Sequence, residues 1–283
     1  MAGAGRGIGR AVALAYAAEG ARLALVARTA TEVDETATLC RARGTEAISI
    51  SVDVADWPAV AALPERITAD LGPVDVLVNA AGIYGPIGPT ISVDPTDWTG
   101  AIETNLYGTF YLCRAVAPGM AERRRGKIVL MAGGGAAAPL PFFSAYAASK
   151  AAAVRFADTL AAELAEKNVQ VNAIAPGLVD TRLQDDVLAA GPSAGPLLDK
   201  IRDARERGIG TVPPELAASL AVYLASDTSG DLTGKLISAP HDPWQDWSGP
   251  FTELNASPLF TIRRVDRHTV EPLLHELAAD PER

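Results

Sequence analysis

Gly3-Ala4-Gly5-Arg6-Gly7-Ile8-Gly9, then the helix-forming run Arg10-Ala11-Val12-Ala13-Leu14, then Arg22-Leu23-Ala24-Leu25-Val26-Ala27, is the stretch whose reading decides the fold. Only glycine lets backbone N–H groups approach a pyrophosphate closely at the mouth of a helix. A glycine pattern by itself is a weak signal, and a flexible terminus would read the same way. The β-branched and apolar run at 22–27 completes half of a βαβ unit and favours the phosphate reading.

In such a unit the glycine turn follows a strand, yet only Met1 and Ala2 precede it. The implied topology puts that strand mid-sheet, between the runs at 22–27 and 74–78, bonded on both sides. The expectation is a first strand missing at the N-terminus, with the biological start upstream of Met1.

Working outward, further strand-like runs fall at 46–52, 74–78, 127–131 and 168–174, with a last one near 234–238. Helix-like stretches rich in Ala, Leu, Glu and Arg lie at 7–19, 30–43, 56–71, 96–122, 144–166 and 213–226. Strand and helix alternate, so the expected class is α/β, a doubly wound parallel sheet of Rossmann type in a single domain over residues 1–239. The rhythm breaks at about 178–212, where Gly191-Pro192, Gly195-Pro196 and Pro213-Pro214 point to an irregular insertion, read as a substrate lid. Residues 240–283 read as a C-terminal tail with a short final helix. Its Trp244 and Trp247 imply packing on the domain or on a neighbouring subunit.

Composition excludes several functions. A chain of 283 residues with 48% hydrophobic residues can bury a full core, and no window reaches the roughly 18 apolar residues that span a bilayer. The net charge of −9 argues against nucleic acid as a partner. The two cysteines, Cys40 and Cys113, lack metal spacing; read as free thiols with no secretory leader ahead of them, they suit a reducing cytoplasm. The three histidines, His241, His268 and His275, form no ligand motif, and no metal is expected.

An NAD-preferring site places an acidic side chain about 20 residues beyond the glycines, at the end of the second strand. That place holds Ala27 and then Arg28. With no carboxylate there to repel a 2′-phosphate, and with Arg28 and Arg6 at hand, the reading favours NADP(H) over NAD(H). A solvated helix-entry charge and a turn residue are the structural alternatives for these two arginines.

The opening glycines are followed in order by Asn79-Ala80-Ala81-Gly82, Tyr146-Ala147-Ala148-Ser149-Lys150 and Asn172-Ala173-Ile174-Ala175-Pro176-Gly177. In this order and spacing the chain resembles the short-chain dehydrogenase/reductase family from residue 1 to about 240, where Leu232-Thr233-Gly234 resembles the family's end. The resemblance implies an oxidoreductase that moves a hydride between a nicotinamide dinucleotide and a secondary alcohol or ketone of a small molecule. It makes Tyr146 the general acid/base, and gives Lys150 the tasks of lowering the tyrosine pKa and bonding the nicotinamide ribose. At i and i+4 the two share a helix face. By the same resemblance Asn105 holds a water of the proton relay. The cofactor-binding set would be Gly3, Gly5, Arg6, Gly7, Ile8, Gly9, Arg28, Asp53, Val54, Asn79, Ala80, Ala81, Gly82 and Lys150, together with Pro176, Gly177, Val179 and Thr181. Asp53 and Asn79 serve equally well as turn residues, and Pro176-Gly177 is a generic turn signal.

One departure stands out: the family's serine, about thirteen residues before the tyrosine, is Gly133 here. Losing one preorganised donor typically costs about 10²–10³ in rate. Backbone N–H groups of Gly133, Gly134 or Gly135 are the expected substitute, and this Gly-Gly-Gly run is similar to that of a subgroup of the family. Ser144, the nearest hydroxyl, reads as a helix N-cap. A silent dinucleotide-binding scaffold or sensor, and an epimerase or dehydratase on the same fold, stay open at this point. Ala- and Leu-rich faces at 96–122 and 144–166 imply a homodimer or homotetramer.

Overall fold

The computed structural model describes residues 1–208 and 210–264. In chain order the elements are α1 (Gly7–Ala18), β1 (Leu23–Ala27), α2 (Ala30–Arg41), β2 (Ala47–Ser51), α3 (Trp57–Ala61), α4 (Leu63–Leu71), β3 (Val76–Asn79), α5 (Pro95–Ile102), α6 (Gly108–Arg123), β4 (Gly126–Met131), α7 (Ser144–Leu164) and β5 (Val169–Ala175). Then come α8 (Arg182–Ala190), α9 (Pro196–Arg207), α10 (Pro214–Ala225), β6 (Leu236–Ser238) and α11 (Thr252–Ala256). The expected short final helix lies outside the described residues.

All strand pairs are parallel: β1 with β2, and β3, β4, β5 and β6 in that order. The two groups are joined by Ala2, which bridges Val26 on one side and Asn79 on the other. Ala2 N–H donates to Val78 O at 2.9 Å, and its carbonyl accepts from Ala80 N at 3.0 Å. Met1 O accepts from Val26 N at 2.8 Å and Ala4 N donates to Val26 O at 3.1 Å, so this short link is bonded to both neighbours. Beyond Met1, between the facing edges of β1 and β3, lies a cavity of about 380 Å³ whose walls include Leu23, Ala24, Ile67, Val76 and Val222.

Helices cover both faces of the sheet. One apolar layer joins α1 (Val12, Ala13, Tyr16) to α10 (Ala217, Leu220, Leu224) and takes in Trp244 and Phe251 from beyond β6. The other layer packs α4 and α6 (Ile67, Leu112, Val116, Met120) against Leu77, Ile128 and Leu130 of the sheet. No helix among the described residues is long and apolar enough to cross a membrane.

Three sequence readings change, the first being that the single helix read at 56–71 is α3 and α4, divided at Ala62. The stretch 178–212 is mostly helical rather than irregular, because its Gly-Pro pairs bound elements instead of interrupting them. Gly191 and Gly195 adopt positive φ between helices, and Pro196 sits in the first turn of α9, where a missing N–H costs nothing. The single helix read at 96–122 is α5 and α6 joined by a π-helical turn, Glu103–Tyr107. Such turns are rare and frequent at functional sites.

Candidate active site

The glycine turn lines the mouth of a pocket of about 200 Å³ at the C-terminal ends of β1 and β3. Its lining includes Gly3, Gly5, Arg6, Gly7, Ile8 and Gly9 of the turn, Arg28, Asp53 and Val54 beyond β1 and β2, and Ala80, Ala81 and Gly82 beyond β3. The glycines are there because nothing larger fits. A Cβ on Gly3 would strike the Ala80–Ala81 backbone, one on Gly9 would strike the Gly3 carbonyl, and one on Gly7 would come 3.2 Å from Thr181 Cγ2. The resulting cradle of backbone at a helix N-terminus fits a dinucleotide pyrophosphate.

α8 closes the pocket from above through Thr181, Arg182, Leu183 and Asp186. Of these, only Thr181 was legible in the sequence. Glu32 was missed as well: it lines the pocket and accepts from Arg6 at 2.9 Å, while Arg182 lies 3.5 Å from the same oxygen. The pocket therefore holds a carboxylate after all, placed by the first turn of α2 rather than by the end of β1. It is matched by arginines from two other elements. Arg28 is exposed at the rim.

Other expected residues stand behind the wall. Asn79 is buried, its Nδ2 donating to Thr109 Oγ1 at 2.9 Å and its Oδ1 accepting from Ala81 N at 3.0 Å, so it fixes the wall's backbone. Asp53 lines the pocket while its carboxylate accepts from Ala55 N at 3.0 Å. Pro176, Gly177 and Val179 do not line it. Val179 is bridged to Val212, and Gly177 has a φ of +81° with Val212 packed where a Cβ would go.

Next to Gly82 the pocket meets the lysine. Tyr146 and Lys150 are both buried on α7. Lys150 Nζ and Asn105 Oδ1 lie 3.3 and 3.2 Å from the place a Gly82 Cβ would take, so Gly82 keeps open the space where both groups meet the pocket. Asn105 sits in the π-turn, fully buried. Its Nδ2 donates to Ile83 O at 2.8 Å and Ser149 Oγ at 2.9 Å, and its Oδ1 accepts from Ile83 N at 2.9 Å. Its side-chain donors are therefore spent on tying the chain after β3 to α7.

A match to the family model described as short chain dehydrogenase covers residues 1–190. The chain belongs to the short-chain dehydrogenase/reductase family. It is 33% identical to a 2,3-dihydro-2,3-dihydroxybenzoate dehydrogenase of Bacillus subtilis, over 82% of this chain and 90% of that protein. It is 38% identical to a D-threitol dehydrogenase of Mycolicibacterium smegmatis, over 83% of this chain and 87% of that one. Among solved structures it resembles an NAD⁺-bound xylitol dehydrogenase, with a TM-score of 0.79 and 26% identity over 84% of this chain and 95% of that one.

In this short-chain dehydrogenase/reductase the tyrosine's surroundings carry two surprises. Burial raises the Tyr146 pKa above the ordinary phenol value, with Tyr84 adding to the rise, while burial holds Lys150 down to about 8. Desolvation is the larger cause of the rise and Tyr84 the smaller. Lys150 Nζ donates to Met131 O at 2.8 Å and lies 5.7 Å from the Tyr146 ring centre. The second surprise is at Gly133, where a Cβ would lie 2.1 Å from the Tyr146 hydroxyl, well inside contact distance, so the glycine leaves room for that hydroxyl.

Gly135 turns the chain with a φ of +88°, and Ala136 N donates to Gly133 O at 3.2 Å. The N–H groups of Gly133, Gly134 and Gly135 donate to no acceptor among the described residues. Ser144 is not the N-cap. That position is Phe143, and Ser144 Oγ instead accepts from Trp98 Nε1 at 3.2 Å.

Proposed function

We propose that the chain interconverts a secondary alcohol and a ketone of a small molecule, with Tyr146 as the acid/base and NADP(H) favoured over NAD(H). The observation that carries this reading is the approach of the buried Lys150 to Gly82 in the wall of the glycine-lined pocket, with the buried Tyr146 ring 5.7 Å from the same Nζ. When bound, the dinucleotide supplies hydride exchange at its nicotinamide C4. The residues do the rest. In the reducing direction the Tyr146 hydroxyl gives its proton to the carbonyl oxygen, and in the oxidising direction it takes the proton from the alcohol. Lys150 carries positive charge toward the phenol and the ribose. The free N–H groups of Gly133, Gly134 and Gly135 support a backbone donor site for the reacting oxygen in place of the absent serine hydroxyl. Asn105 keeps the chain after β3 fixed against α7 beside that site.

The preference for NADP(H) is supported by three guanidinium groups in the pocket lining, Arg6, Arg28 and Arg182, of which Arg6 and Arg182 pair with Glu32. Self-association is supported by an aromatic face on α3, α6 and α7. There Phe110 is exposed and meets Phe156 at 6.1 Å, and Trp57 meets Tyr111 at 5.4 Å. A second copy of the chain is the partner proposed for that face. The buried thiols Cys40 and Cys113 are unbridged, in keeping with a cytoplasmic setting.

Tyr146→Phe is the direct test. Dinucleotide binding should persist within about twofold, while turnover of every alcohol that the wild-type protein oxidises should fall at least about 10²-fold. Retained turnover would show that another group handles the proton.

A further inference from the structure

Resting on the assignment of Tyr146 as the acid/base, its neighbour Tyr84 takes on a role of its own. The Tyr146 hydroxyl makes no hydrogen bond among the described residues. A phenol that exchanges a proton with a substrate must nevertheless be aimed closely, because a group held loosely loses the advantage of being held at all. What aims this one is the packing around its ring.

That packing is built on Tyr84, itself 7% exposed. Its ring meets Tyr146 edge-on, with ring centres 4.7 Å apart and planes at 69°, and meets the fully buried Phe143 at 5.0 Å. Edge-to-face pairs at such spacings are attractive and directional. The backbone that carries Tyr84 is fixed on both sides. Just before it, Ile83 N donates to Asn105 Oδ1 and Ile83 O accepts from Asn105 Nδ2. Just after it, Gly85 takes a φ of +71° and lies so close to α5 that a Cβ would come 2.5 Å from Ala101 Cβ.

A third support comes from α8. Burial lifts the Tyr84 phenol to about 12, the Gln184 amide beside it offsets part of that rise, and Asp186 adds to it. Val187 of the same helix packs into the cluster of Tyr84, Phe143 and Tyr146. Asp186 also lines the dinucleotide pocket, so one helix borders both that pocket and the ring beside the acid/base.

We propose that Tyr84 is a positioning residue: its ring, held by Asn105, Gly85 and α8, sets the direction of the Tyr146 hydroxyl into the room that Gly133 leaves. Without that ring the phenol swings away from the oxygen it serves.

Two measurements test this, and one of them is blind to turnover. In a double-mutant cycle, Gly133→Ala should lower Tm by on the order of 5 °C in the wild type, where Tyr146 cannot withdraw. Beside Tyr84→Leu, where it can, the drop should be less than about half as large. In NAD(P)H-linked oxidation of butan-2-ol and cyclohexanol, Tyr84→Leu should lose about 10² in kcat with both KM values within about twofold. Tyr84→Phe, which keeps the ring without its hydroxyl, should restore most of that loss. Additive Tm changes overturn the proposal, as does a Gly133→Ala form that melts with the wild type. So do an undiminished kcat in Tyr84→Leu and a Tyr84→Phe form as slow as Tyr84→Leu. If Tyr84→Leu does not fold, Tyr84→Met takes its place in both measurements. A wild-type protein that oxidises neither alcohol, while the Tm changes stay coupled, would remove the hydride-transfer reading and leave the positioning role standing.

Discussion

Putting a serine back at position 133 is the perturbation that separates the geometry of this site from the pattern of its family. If Gly133 merely lacked a hydroxyl, Gly133→Ser would regain a donor worth about 10²–10³ in rate. The structure argues for the opposite outcome, because a Cβ there would lie 2.1 Å from the Tyr146 hydroxyl. That tyrosine has little freedom to retreat. It is 8% exposed, and its ring stands edge-on to Tyr84 at 4.7 Å, while Tyr84 is held edge-on by Phe143 at 5.0 Å. An ordinary contact needs the hydroxyl to withdraw by roughly an ångström or more, taking the aromatic stack with it. Overpacking of this kind costs about 1–3 kcal/mol, and in a chain of this size that lowers Tm by on the order of 5 °C. A reacting group displaced by about 1 Å loses on the order of 10² in rate. Gly133→Ala adds the Cβ without the hydroxyl and isolates the steric effect. Both variants should melt lower by similar amounts. The alanine form should lose about 10² in NAD(P)H-linked turnover, and the serine form should recover only part of that loss. A serine variant that melts with the wild type and turns over faster, beside a neutral alanine variant, would refute the reasoning.

The pH dependence of stability carries the mark of Lys150. Its pKa is about 8 in the fold and 10.5 ordinarily, so between those values the unfolded chain binds more protons and stability climbs with pH. Above about pH 10 the unfolded phenol of residue 146 ionises while the buried one does not, which reverses the slope. Denaturant unfolding of the wild type minus that of Lys150→Met should therefore give a difference that rises between pH 8 and 10, and a flat difference would mean that the ammonium is solvated. Glu32→Gln should free Arg6 and Arg182 and raise the ratio of NADP(H) to NAD(H) affinity by about two- to fivefold, the reach of a partly exposed ion pair. Arg28→Ala should lower that ratio, and nicotinamide fluorescence titration reads both; ratios that do not move would show that these side chains do not face the 2′-phosphate.

What the sequence made legible was local or periodic. The glycine turn, the buried strands and the i, i+4 pair of Tyr146 and Lys150 are set by spacings of a few residues, and each sits in the element expected for it. The place of the residues before Gly3 between the runs at 22–27 and 74–78 was legible too, because the topology sets it. The bridging by Ala2 was not visible, since that depends on how Val26 and Asn79 come together. The misreading of 178–212 has a local cause. Gly191-Pro192 and Gly195-Pro196 were taken to break structure, yet glycine at positive φ ends a helix and proline begins one, so the same residues delimit helices.

Most of the chemistry that spacing could not disclose is long-range in sequence. Arg6 finds Glu32 across 26 residues, Lys150 finds Met131 O across 19, and Asn105 finds Ser149 across 44. The family pattern assigns Lys150 to the phenol and position 133 to a donor. Here burial governs the first, and the tyrosine's own hydroxyl fills the space of the second.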